Sequence, residues 1–188
     1  IYKPKTVKRK IASIKALYHY LEFQDLISVN PFNKIRIHFR TPQTLPKTIP
    51  LHTIQTLLST MYREHRGAAT PFRHKKTLRD IATVEVLFST GIRISELCSL
   101  KKSDVDLYDG SILIFGKGAK ERLIQIGSRD VLQLLIQYKQ TFHREMEQTG
   151  RFFVNPDASP LSDQSVRRML KKYCALSGID LHITPHMF

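Results

Sequence analysis

Three short stretches combine residue types that can handle a phosphodiester. In Thr90-Gly91-Ile92-Arg93-Ile94-Ser95-Glu96-Leu97 an arginine follows a glycine turn at the opening of a helix. A guanidinium there, beside backbone N–H groups, suits a phosphate, although Arg93 is equally spaced for an ion pair with Glu96. In Gly116-Lys117-Gly118 two glycines permit a tight backbone and leave one long cation projecting. Lys117 can meet a phosphate oxygen or give a proton to a leaving alkoxide, or it is a solvated lysine on a surface turn. In His182-Ile183-Thr184-Pro185-His186 the Thr-Pro pair has the N-cap and N1 pattern of a helix start, with His186 in the first turn. An imidazole so placed can meet a phosphate or exchange a proton with a hydroxyl. The two histidines also have the spacing of half a zinc site. Cys98 and Cys174 have no paired partner at ligand spacing, so a zinc site is not expected, and no cofactor is assigned.

Other chemistries find little support. The sequence has no P-loop and no dinucleotide-binding glycine pattern. Asp104 and Asp106 follow a helix end and read as a turn, and no paired carboxylates suit a two-metal nuclease.

The elements that must position these residues follow from periodicity. Ile11, Ile14, Leu17, Tyr18 and Leu21 recur at helical spacing, predicting a helix over about 6–24 whose other face carries Lys8, Arg9, Lys10, Ser13 and Lys15. Asn30-Pro31 breaks the chain. Pro42, Pro46 and Pro50 then recur every four residues, a density that blocks helix and favours an extended linker. Leu51, Ile54, Leu57, Leu58 and Met61 predict a second helix, residues 66–77 a loop, and Ile81, Val84, Leu87 and Phe88 a third helix ended by Thr90-Gly91. A short helix over about 94–101 precedes a change of period. Ser111–Phe115 and Glu121–Ile126 read as the strands of a hairpin whose tip holds Lys117. Two further helices follow, one through Val131, Leu134, Leu135, Tyr138 and Phe142. The other, capped by Ser162, runs through Val166, Met169, Leu170, Tyr173 and Cys174. The fold class is therefore mainly α with one small β-hairpin, an α+β arrangement. The domains are expected as a helical piece over 1–37, a Pro-rich linker over 38–50 and a larger domain over 51–188.

Composition narrows the partner. The 188 residues carry a formal charge of +14, with 41% hydrophobic residues, so the chain is globular and strongly basic. Residues 1–50 hold ten Lys or Arg against two Asp or Glu, the remainder twenty against fourteen. A basic helical segment joined to a milder domain suits a clamp on nucleic acid. No apolar run approaches the roughly 18 residues of a membrane span, so no membrane partner is expected. The chain opens on Ile1 without a signal-peptide pattern and reads as the interior of a longer product. Two cysteines in apolar helical patterns read as thiols of a reducing cytoplasm.

Together the pieces resemble one family. Thr-Gly-Ile-Arg-Ile-Ser-Glu-Leu at 90–97, Leu100, Asp104-Val105-Asp106 and Gly-Lys-Gly-Ala-Lys-Glu-Arg at 116–122, followed by Ile183-Thr184-Pro185-His186, resemble the catalytic domain of tyrosine recombinases of the phage integrase family. The resemblance covers nearly the whole chain. The basic helix and Pro-rich linker resemble the end of that family's core-binding domain. The resemblance implies site-specific DNA recombination or integration through a 3′-phosphotyrosine intermediate, without metal or ATP. It implies that Arg93 holds the non-bridging oxygens of the scissile phosphate. Lys117 would reach the minor groove and help protonate the leaving 5′ oxygen, and His186 would contact the phosphate and assist proton transfer. Lys8, Arg9, Lys10, Ser13, Lys15, Lys120 and Arg122 are the expected contacts to double-stranded DNA. Partner protomers in a tetrameric synapse and a bacterial, nucleoid-associated cytoplasmic location follow from the same resemblance.

The family's box would place its second arginine just after Phe188 and its nucleophilic tyrosine further on, and none of the seven tyrosines here sits in a matching context. The 188 residues alone are therefore expected to bind DNA without cleaving it. The alternatives are a non-catalytic DNA-binding protein of recombinase-like fold and a type IB topoisomerase, which shares the chemistry.

Overall fold

The computed structural model describes residues 2–35, 48–116 and 121–188, without the side chain of His186. Most of the expected linker thus lies outside the described residues. The chain divides into two compact units, Ile1–Pro46 and Lys47–Phe188.

In the first unit, α1 spans Pro4–Phe23, with Pro4 in its first turn. Asn30 caps a following 3₁₀ turn, Pro31–Lys34, by accepting the Phe32 N–H at 2.9 Å. The Glu22 carboxylate ties this turn back to the helix, accepting from the Asn30 N–H and the Asn33 amide, both at 3.2 Å. No residue of α1 is buried, and Ile14, Leu17, Tyr20 and Phe23 leave an apolar stripe in contact with solvent.

The second unit is built around α3 (Pro71–Thr90), which buries every residue from Thr77 to Val84 and then Val86 and Leu87. α2 (Leu51–Arg66), α5 (Arg129–Thr141) and α7 (Asp163–Leu176) pack against it. The remaining elements are α4 (Ile94–Ser99), β1 (Val105–Asp106), β2 (Ser111–Phe115), β3 (Glu121–Gln125), α6 (His143–Thr149) and a 3₁₀ turn at Pro185–Met187. The three strands form one antiparallel sheet in the order β1-β2-β3. Its register sets Ile112 against Ile124 and Ile114 against Arg122. Among the described residues no helix is long and apolar enough to cross a membrane.

Several expectations change here. Residues 66–77 are mostly helix rather than loop, because Thr70 accepts the Arg73 N–H at 3.2 Å and Pro71 starts α3 at once. Strand β1 and helix α6 add to the predicted set. Thr184-Pro185 opens a single 3₁₀ turn, and the Thr184 side chain makes no cap bond. Asp104 and Asp106 are turn acceptors as read. Asp104 takes the Lys101 N–H at 2.8 Å, and Asp106 takes those of Tyr108 and Asp109 at 2.8 and 3.1 Å. Cys98 and Cys174 are free thiols, Cys174 buried and Cys98 half-buried, where burial pushes the Cys98 thiol up to about 12.

Two buried tyrosines bind the core by their hydroxyls. Tyr138 donates to the Phe152 carbonyl at 3.1 Å and accepts the Val154 N–H at 2.9 Å. Tyr173 donates to Asp80 at 3.2 Å, and Asp80 also takes the Arg79 Nε–H at 2.9 Å. Burial raises the Asp80 carboxyl even against the Arg79 charge. Breaking such a buried pair by removing one partner is costly, so this network fixes α3 against α7.

Candidate active site

The site begins where α3 stops. Gly91 adopts the left-handed conformation, φ +62, and its N–H closes the helix on the Leu87 carbonyl at 3.0 Å. That turn buries Ile92 and delivers Arg93 as the N-cap of α4.

Arg93 is held at both ends by one carboxylate. Its backbone N–H donates to Glu96 Oε2 at 2.9 Å, and its Nη1 donates to Glu96 Oε1 at 3.0 Å. The Arg93 side chain nevertheless stays 68% exposed, whereas that of Glu96 is 9% exposed. The same carboxylate receives a two-pronged contact from β3: Arg122 Nη1 reaches Oε1 at 3.1 Å and Nη2 reaches Oε2 at 2.7 Å. The Arg122 hydrogen bond is the main force holding the Glu96 carboxyl down, to about 2. Burial opposes it, and the Arg93 N–H and guanidinium assist. The same bond raises the pKa of Arg122.

The arginines border two open clefts. One, of about 550 Å³, is bordered by Gly91, Arg93, Arg122, Pro185 and Phe188. A neighbouring one, of about 790 Å³, is bordered by Arg93, Ser95, Ser99, Phe115, Gly116 and Arg122. Gly116 directly precedes Lys117, and Pro185 directly precedes His186, so both other sequence-predicted catalytic residues are chain neighbours of residues lining these clefts. Lys117 and Lys120 lie outside the described residues, as does the side chain of His186. Among the described residues no group of three or more His, Cys, Asp or Glu is placed to hold a metal.

The helix-borne candidates occupy the other unit. Lys8, Arg9, Lys10 and Ser13 are exposed and Lys15 is half-buried on α1. Lys10 sits 3.7 Å from the Tyr2 ring centre, and the Ser13 hydroxyl is taken up by the Arg9 carbonyl at 3.2 Å. Two features are not evident from sequence. Glu96 is legible there only as a partner for Arg93, not for Arg122 as well. On α7, Arg167, Arg168, Lys171 and Lys172 are all exposed opposite the buried Val166, Met169, Leu170 and Tyr173. Their signal is two adjacent cation pairs at helical spacing, masked by the stronger apolar stripe.

Known proteins share this architecture. The model of the family described as "Phage integrase family" matches residues 47–188. A tyrosine recombinase of Agathobacter rectalis is 60% identical over 187 residues, spanning 100% of this chain and 61% of that protein. Tyrosine recombinase XerD of Listeria monocytogenes is 35% identical over 189 residues, spanning 97% of this chain and 59% of that protein. The chain therefore spans about three fifths of the length of these relatives. A crystal structure of the XerH site-specific recombinase bound to its difH substrate, in a pre-cleavage complex, superposes with a TM-score of 0.73. It has 20% identity and spans 98% of this chain and 52% of that one. At that identity the superposition speaks for the fold.

Proposed function

Because the chain belongs to the phage integrase family of tyrosine recombinases, we propose that it serves site-specific recombination of double-stranded DNA by strand cleavage and rejoining. The observation that carries this reading is the largely exposed Arg93 guanidinium, which with Arg122 borders two neighbouring clefts, one also bordered by the chain neighbour of His186 and the other by that of Lys117. Arg93, Arg122 and the ionised Glu96 together bear one net positive charge, and Arg93 is the more exposed of the two guanidiniums.

In the proposed reaction Arg93 binds the non-bridging oxygens of one phosphate. A tyrosine hydroxyl attacks phosphorus, and the bond to the 5′ oxygen breaks. Lys117 gives that oxygen a proton, and His186 assists proton transfer at the attacking hydroxyl. The product is a 3′-phosphotyrosine, which preserves the bond energy for rejoining. Fixed cations and proton donors suffice for such a step, since charge builds on oxygens already held in place. No nucleophile is assigned among the seven tyrosines. Tyr138 and Tyr173 are buried with engaged hydroxyls, and the Tyr62 hydroxyl donates to Glu85 at 3.0 Å. Residues 1–37 are proposed as part of a core-binding clamp, 38–50 as its linker and 51–188 as the catalytic domain. The exposed cations of α1 and α7, with Lys120, would meet the backbone. A tetramer of protomers on paired sites, in the bacterial cytoplasm, completes the proposal.

The test is duplex binding by the 188 residues across a salt series, paired with denaturing gels for a covalent adduct. Steep loss of affinity with salt and no adduct are expected. Affinity indifferent to salt would overturn the DNA reading, and an adduct would show that one of these seven tyrosines is the nucleophile. In a longer protein that forms the adduct, Lys117→Ala should abolish cleavage while sparing affinity. A non-catalytic binder would form no adduct at any length.

A further inference from the structure

Glu96 carries one negative charge and faces two guanidiniums. Arg122 takes both of its oxygens, at 3.1 and 2.7 Å, whereas the Arg93 side chain reaches one of them, at 3.0 Å. The planar fork of an arginine matches a carboxylate in a way no point charge can. Arg122 sits on β3 opposite Ile114, so the sheet register fixes where its fork lies. Of the two partners it is the less exposed, at 40% against 68%.

We propose that Arg122 is a positioning residue that occupies the Glu96 carboxylate, so that Arg93 is oriented by Glu96 without being neutralised by it and keeps its charge for a phosphate. This differs from the expectation that Arg122 itself touches DNA, and it rests on the functional reading of Arg93 as the phosphate-holding group. Without Arg122, the whole charge of Glu96 falls on Arg93, and the cluster loses its net positive charge. The same contact links two parts of the site. Glu96 lies on α4, and Arg122 lies five residues beyond Lys117 on the descending arm of the hairpin. The Glu96–Arg122 pair therefore clamps the base of that hairpin to the helix that carries Arg93.

A double-mutant cycle separates positioning from direct contact. Affinity for a synthetic mixed-sequence DNA duplex is measured for the unaltered protein, Arg122→Ala, Glu96→Gln and the pair combined, each checked for folding by its thermal transition. Arg122→Ala is expected to weaken binding roughly fivefold, and the same change in the Glu96→Gln background to have less than about a twofold effect, because the residue acts through that carboxylate. Arg122→Lys keeps the charge and loses the fork. It should stay closer to the alanine variant than to the unaltered protein, and it carries the test if Arg122→Ala does not fold. An Arg122→Ala loss of equal size in both backgrounds, or full rescue by lysine, marks a direct phosphate contact and overturns the inference. Absence of salt-dependent binding by the unaltered protein overturns the functional reading and this inference with it.

Discussion

Glu96 decides how Arg93 behaves, and its ionisation can be followed directly. Its carboxyl titrates near 2 in the folded chain, against an ordinary value of 4.5, chiefly because of the Arg122 hydrogen bond. A carboxyl whose folded value is depressed adds stability that is fully present above its unfolded value and is lost as pH falls through the folded one. The window here runs from about 4.5 down to about 2, and its full size is about 3 kcal/mol. The difference in unfolding free energy between the unaltered protein and Glu96→Gln should therefore be largest near neutrality and shrink across that window. Asp80, shifted the opposite way, is common to both proteins and cancels. A difference constant from pH 7 to pH 3, measured by urea unfolding, would contradict the Glu96 assignment. Arg93 and its Glu96 partner are visible in the sequence because they lie three residues apart. Arg122 is not visible as the second partner, because it lies 26 residues from Glu96 and only the β2–β3 register brings it there.

At the scale of elements, local signals locate most of the helices and misplace one start. Thr70-Pro71 has the same Thr-Pro pattern as Thr184-Pro185, but of the two threonines Thr70 is the one whose side chain caps its helix. The cations and Gly67 around it resemble a loop, so α3 is expected to begin later than it does. The cap makes a definite contribution, since the Thr70 hydroxyl takes the Arg73 N–H. Thr70→Ala should cost about 1 kcal/mol of unfolding free energy. The far end of α3 is a sharper case. Gly91 sits at φ +62, and a Cβ added there would meet nothing within 4 Å. Gly91→Ala should therefore cost about 1–2 kcal/mol through backbone conformation alone, without steric repacking. Because Arg93 follows by two residues, the same change should also lower duplex affinity. Unchanged stability in denaturant titration would show that the left-handed turn is not required. Strand β1 and helix α6 escape a sequence reading for a different reason. With two and seven residues, neither is long enough to display a period, and both depend on tertiary neighbours.

The molecule as a whole is a distribution of charge over two compact units. Ten of its thirty cations fall in the first fifty residues, against only two acids, and no residue of α1 is buried to explain that surplus by packing. Self-repulsion of this kind is a cost that a polyanion relieves, because each phosphate neutralised releases condensed counterions. On duplex DNA, replacing Lys8, Arg9, Lys10 and Lys15 together with alanine is expected to weaken binding evenly across sequences. It should flatten the slope of log affinity against log salt by up to about 4 units, near one for each phosphate that is no longer neutralised. The change should leave the second unit's thermal transition in place, since the units Ile1–Pro46 and Lys47–Phe188 are separately compact. The corresponding replacement of Arg167, Arg168, Lys171 and Lys172 on α7 apportions the remaining electrostatic attraction. If the α1 replacement leaves the slope as it was, that helix face is merely solvated, and the grip on DNA belongs to the cations of the second unit.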